Sequence, residues 1–114
     1  MINNNYLRLI DKLIDATKEN RINWQQSTRE NEFIVDVNNY TIAILYNQKS
    51  LFSIDLDRTA ACTISLINEE GIIVDACTIP SNEEGYDKAV GLFNEAKRSF
   101  YKVDDVLNEL TESL

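Results

Sequence analysis

Apolar side chains recur at three- and four-residue spacing through Tyr6, Ile10, Leu13, Ile14 and Thr17, with Arg8, Asp11, Lys12, Asp15 and Lys18 opposite them. That is the pattern of an amphipathic helix. One of Asn3, Asn4 and Asn5 is suited to cap its start, and Asn20 tolerates the left-handed conformation that would stop it. The next run, Ile22-Asn23-Trp24-Gln25-Gln26-Ser27-Thr28, begins as an apolar alternation and turns polar. It predicts a short extended piece that tucks Trp24 against the core.

The period then changes to two. Phe33, Val35 and Val37 alternate up to Asn38-Asn39, and Tyr40, Ile42, Ile44 and Tyr46 alternate away from it. A two-residue turn at the asparagines, which accept positive φ, pairs Val37 with Tyr40, Val35 with Ile42 and Phe33 with Ile44. All seven side chains then share one face. A second hairpin follows from Asn68-Glu69-Glu70-Gly71, a turn with Gly71 in the left-handed position. It sets Leu66 opposite Val74, Ile64 opposite Ala76 and Cys62 opposite Thr78. Between the hairpins, Phe52, Ile54 and Leu56 offer a fifth short strand or an edge segment.

From Ser81 or Asn82, with Glu83 and Glu84 in the first turn, the helical period returns through Tyr86, Val90, Phe93, Ala96, Phe100, Val103, Leu107, Leu110 and Leu114. A single helix over residues 83–114 would be about 48 Å long, against a globule diameter of roughly 35 Å for such a chain. It must bend, break or project. The expected place is residues 99–105, where Val103-Asp104-Asp105 can restart a final short helix. The order of elements predicts an α+β fold in one domain of residues 1–114: an N-terminal helix, a four- to five-stranded antiparallel meander, and a long, bent or broken C-terminal helix.

Composition narrows the chemistry. The chain of 114 residues contains no histidine and two cysteines, which excludes His-based triads, His general bases, His-ligated zinc and an all-thiolate zinc site. Its uncharged runs are too short to span a bilayer, and Met1-Ile2-Asn3-Asn4-Asn5 has no basic or apolar leader character, so a cytoplasmic location without membrane contact is expected. Asn and Ile each occur 13 times, the bias of an AT-rich bacterial or phage genome. Eleven basic against nineteen acidic residues give a net charge of -8, carried mostly by residues 32–114. Such a surface repels nucleic acid and attracts a basic protein.

The run Leu9-Ile10-Asp11-Lys12-Leu13-Ile14-Asp15-Ala16-Thr17-Lys18 leading to Ile22-Asn23-Trp24 is followed by a strand meander, then by Tyr86-Asp87-Lys88 and Glu95-Ala96-Lys97-Arg98-Ser99. Over most of its length the chain thereby resembles small uncharacterised bacterial and phage proteins with the same helix, sheet, helix order. The resemblance implies architecture and a cytosolic origin and carries no site.

Candidate chemistry is sparse. Asp55 and Asp57 form an Asp-x-Asp pair that can offer two carboxylates to a divalent cation, with Glu69, Glu70 or Asp75 completing the shell, as a metal-dependent hydrolase would need. The same spacing is also the ordinary polar face of a strand. Cys62 and Cys77 emerge on opposite faces in the register above, so a disulfide is not expected and two reduced thiols are. Trp24, Tyr40, Tyr46 and Phe93 can stack a planar ligand between sheet and helices, although alternating aromatics on strands usually belong to a core. The basic trio Lys97, Arg98 and Lys102 is too small and too surrounded by acid for a nucleic-acid patch. No cofactor is called for.

More informative is the second face of the sheet, where Ile34, Ala43, Leu45, Ile67, Ile73 and Ile79 fall. A one-sided antiparallel sheet would be polar there. Either residues 103–114 fold over it, or two subunits stack sheet on sheet as a homodimer, or another protein docks. Strand propensity alone is the bland alternative. With no catalytic constellation, the expected function is that of a non-enzymatic, acidic interaction module that binds and inhibits a partner protein, of the immunity, antitoxin or phage counter-defence kind. Its expected contact residues are Ile34, Leu45, Ile67, Glu69, Glu70, Ile73 and Asp75. Small-molecule binding by the aromatic set ranks second.

Overall fold

A computed structural model describes residues 3–47 and 60–114. Its elements are α1 (Asn4–Lys18), β1 (Gln25–Gln26), β2 (Glu32–Val37), β3 (Tyr40–Asn47), β4 (Ala61–Ile67), β5 (Ile73–Pro80), α2 (Tyr86–Tyr101) and α3 (Val103–Ser113). The five strands form one antiparallel sheet in the order β1-β2-β3-β4-β5, a meander. The proposed Phe52, Ile54 and Leu56 strand and the Asp55 and Asp57 pair lie outside the described residues; the fifth strand is β1, the extended piece after Trp24. Among the described residues no helix is long and apolar enough to cross a membrane.

Each α1 boundary has a local cause. The Asn3 side chain accepts the Asn5 backbone N–H at 2.7 Å, and Asn20 turns the chain away with φ 59°. The helix buries Tyr6, Ile10, Leu13, Ala16 and Thr17. Asn38 and Asn39 both hold positive φ, 50° and 69°, so the twist of the two-residue turn matches that of its strands. The resulting pairs are Val37 with Tyr40, Val35 with Ile42 and Phe33 with Ile44, the predicted register.

The second hairpin departs from expectation. Its turn forms as the sequence implies: Gly71 has φ 82°, its N–H reaches the Asn68 carbonyl at 3.0 Å, and the Asn68 side chain accepts the Glu70 and Ile72 N–H groups at 3.0 Å each. The ladder then pairs Ile67 with Ile73 and Leu66 with Asp75, leaving Val74 as an extra, unpaired residue. That bulge moves β5 by one residue against the predicted pairing. Because strand side chains alternate, every β5 side chain beyond the bulge changes face. Ile79, expected on the open face, is fully buried opposite Cys62 in the core, and Ile64 lies opposite Cys77. Cys62 and Cys77 therefore share one face, correcting their assignment to opposite faces; both are free thiols.

One side of the sheet carries the core, in which Phe33, Val35, Ile42, Ile44, Cys62, Ile64 and Ile79 meet the stripes of α1 and α2. Helix α2 starts at Tyr86, behind a left-handed Gly85, rather than at a Ser81 or Asn82 cap. It buries Ala89, Leu92, Phe93 and Ala96. The predicted break falls at Lys102, whose φ of 52° ends α2 and begins α3, with Asp104 and Asp105 in the new first turn. The Arg98 guanidinium holds Asp104 at 2.7 Å across the break.

Candidate functional site

The sheet face turned away from the helices is built in rows set by the ladder. Glu32, Leu45, Thr63 and Thr78 form one row; Ile34, Ala43, Ser65 and Ala76 the next; Asp36, Thr41, Ile67 and Ile73 the third. Small side chains in the middle row leave a shallow groove of about 510 Å³ walled by the β1–β2 connection, where Arg29, Ile34, Ala43, Ile67 and Ile73 are among the lining residues. Polar members of the rows satisfy one another: Thr41 donates to Asp36 at 2.7 Å, and the Thr63 and Thr78 hydroxyls lie 2.9 Å apart.

Of the three covers the sequence allows, the first, residues 103–114 folded over this face, is not what the structure shows. Helix α3 meets α2 around the Lys102 break and has no buried residue. Its origin at Lys102, at the end of a helix lying on the opposite side of the sheet, carries it away from the groove. Among the described residues nothing covers the open face.

On the sheet, apolar exposure is concentrated at the hairpin end. Ile72, Ile73 and Val74 are 54%, 61% and 51% exposed, and Tyr40, at the tip of the neighbouring hairpin, is 49% exposed. Tyr40 lines a cleft with Asn38, Asn39, Asn68, Glu69 and Glu70, so an aromatic ring and two carboxylates meet within two adjacent turns, while Ile73 lies on the opposite face of the sheet from Tyr40.

Of the residues expected to contact a partner, Ile67, Glu69, Glu70 and Ile73 come together at this end, while Ile34 and Leu45 lie half-buried farther along the same face. Asp75 does not join them. The Val74 bulge turns it to the helix side, where its carboxylate accepts the Tyr6 hydroxyl at 2.5 Å. Sequence reading missed Ile72 and Val74 as surface residues. The signal was present, since three consecutive apolar residues beside a turn cannot all face one side of a strand.

The aromatic set does not converge. Trp24 is buried and donates its indole N–H to Thr17 Oγ1 at 2.8 Å. Tyr46 stacks on buried Phe93 with ring centroids 5.5 Å apart, and Tyr86 donates to the Tyr46 hydroxyl at 3.4 Å. Tyr40 stands at the other end of β3, about 20 Å away at 3.3 Å per residue. No group of three or more metal-ligating side chains is assembled among the described residues.

Both thiols and the Tyr6 phenol are shifted toward their neutral forms. Burial pushes the Cys62 thiol up to about 12 and raises Cys77 as well, so neither is a ready thiolate nucleophile. Tyr6 is raised by burial first and by its hydrogen bond to Asp75 second.

The chain matches no protein-family model, no curated protein and no solved structure.

Proposed function

We propose that this protein acts by binding another protein, and inhibiting it, rather than by catalysis. The observation that carries this reading is the exposed apolar start of β5, where Ile72, Ile73 and Val74 stand in solvent directly after the turn that carries Glu69 and Glu70, with Tyr40 exposed at the neighbouring hairpin. Three successive aliphatics at half exposure or more have no use in an isolated fold, whereas a partner that covers them gains about 25 cal/mol for each Å² of apolar surface removed from water. The acidic margin and the net charge of -8 favour a partner whose facing surface is basic and speed its approach. An immunity, antitoxin or phage counter-defence role fits a small acidic binder of this kind. These residues and the open groove also offer the ground for a homodimer, which the charge disfavours.

The test is binding by surface variants. The full chain is used as bait in lysate of its source organism, the retained protein is identified and purified, and its affinity is measured for wild type, Ile73→Lys and Glu69→Lys/Glu70→Lys. Both variants should keep the wild-type circular dichroism and melting temperature, because these side chains support no core contact. Loss of binding by both supports the reading; undiminished binding by both overturns this surface as the site.

A further inference from the structure

Helix α3 is built like a recognition element. At 100° per residue, Val103, Val106, Leu107, Leu110 and Leu114 fall on a single stripe about 100° wide. On α1 and α2 the corresponding stripe is buried, but on α3 no residue is: Val106, Leu107 and Leu110 are 45%, 50% and 55% exposed and Leu114 is fully so. A helix of 11 residues has little stability of its own in water, and helices of this length normally draw their stability from a covered apolar face. Among the described residues that cover is missing.

Charge decides what the cover is. The four ionised side chains of α3, Asp104, Asp105, Glu109 and Glu112, are all acidic, and residues 103–114 contain no Lys or Arg. Asp104 and Glu109 border the stripe on its two sides by the same helical geometry. Only Asp104 has a cation, Arg98, within the described residues. A second copy of the chain would bring the same carboxylates and a second net charge of -8 to the contact, and its open sheet face is itself edged by Glu32 and Asp36. Both terms are repulsive.

We propose that α3 is a docking helix that lays Val106, Leu107, Leu110 and Leu114 into an apolar groove of another protein whose rim carries Lys and Arg. Spacing of i, i+1, i+4 and i+8 along one face is the arrangement by which an amphipathic helix fills such a groove. The inference extends the interaction reading to a second surface and does not require the hairpin end of the sheet to be the binding site.

The experiment uses the full chain as bait in three forms: wild type, Leu107→Glu/Leu110→Glu, and Glu109→Gln/Glu112→Gln. The protein retained by wild type is identified, purified and titrated against each form at low and high salt. The expected result is one-to-one binding that weakens by at least about 30-fold in the Leu107→Glu/Leu110→Glu form. It should weaken about tenfold between 50 mM and 500 mM salt, and fall detectably in the Glu109→Gln/Glu112→Gln form. An unchanged melting temperature and near-UV spectrum show that the Leu variant keeps its core. The proposal is overturned if the retained protein binds the Leu variant as tightly as wild type, if affinity is indifferent to salt, or if wild type retains no protein. A wild-type dimer that the Leu variant splits into monomers also overturns it, in favour of a second copy. Loss of binding by Ile73→Lys but not by the α3 forms would sink the helix and leave the sheet surface standing.

Discussion

The hydroxyl of Tyr6 donates to Oδ2 of Asp75 at 2.5 Å, joining the first turn of α1 to β5 across 69 residues of sequence. The contact exists because the Val74 bulge turns Asp75 toward the helices; in a regular ladder that carboxylate would face solvent on the other side. It ties an otherwise exposed edge strand to the N-terminal helix. Replacing Tyr6 by Phe leaves the ring in place and removes the donor, which should cost about 1 to 3 kcal/mol, as expected for a hydrogen bond to a charged group. Asp75→Asn, which keeps an acceptor oxygen, should cost less. Urea midpoints of the two single variants and the double variant check this, and the double should be less destabilised than the sum.

Trp24 is held by a relay in which its indole N–H meets Thr17 Oγ1 at 2.8 Å while the Thr17 hydroxyl donates to the Leu13 carbonyl at 2.6 Å. Thr17→Val keeps the shape and strips the acceptor, leaving a buried N–H unpaired at a cost of about 1 to 3 kcal/mol. Thr17→Ser should retain most of the stability. As Trp24 is the single tryptophan, its emission during denaturant unfolding reports both results directly.

The position of the bulge is testable by paired substitutions on β5. Ile79 is fully buried, whereas Thr78 is exposed and meets only Thr63 across the open face. Ile79→Ala should destabilise by about 2 to 5 kcal/mol, the range for large-to-small changes in a core. Thr78→Ala should stay within about 1 kcal/mol of wild type. The unbulged register would interchange the two results, so thermal melts of the pair decide between them.

Alkaline pH should weaken the fold through Cys62. Its thiol has an ordinary value of 9.0 and is pushed up to about 12 by burial, so the unfolded chain loses this proton first and unfolding releases it. Stability is therefore whole below pH 9 and falls as the pH rises toward 12, by at most about 1.4 kcal/mol per pH unit. Cys77 shifts in the same direction. Between pH 8.5 and 10 the decline should be visibly shallower in Cys62→Val, which fills the site without a titrating group. In the folded protein a thiol reagent should modify half-buried Cys77 sooner than Cys62.

Much of the fold was legible because its signals are local. The spacing of Tyr6, Ile10 and Leu13 defines a helix face, Asn38-Asn39 specifies a turn and therefore a register, and the length of residues 83–114 demands a bend, a break or a projection. The acidic balance and the absence of histidine bear on chemistry without reference to any neighbour. On the candidate surface, Glu69, Glu70 and Ile73 could be found because they flank a recognisable turn.

Tertiary contacts decided the rest. A one-residue bulge leaves no mark in an alternating pattern, since Val74, Ala76 and Thr78 serve as well on one face as Asp75, Cys77 and Ile79; the choice rests on which set fits beneath α1 and α2. Burial of Ile79 and pairing of Asp75 with Tyr6 favour the second set. Likewise the stripe on α3 looks in sequence like a core-facing helix, because periodicity states only that a face is apolar. Whether that face meets its own sheet or stands open depends on the direction in which Lys102 turns the chain, and that direction leaves Leu107 and Leu110 in solvent.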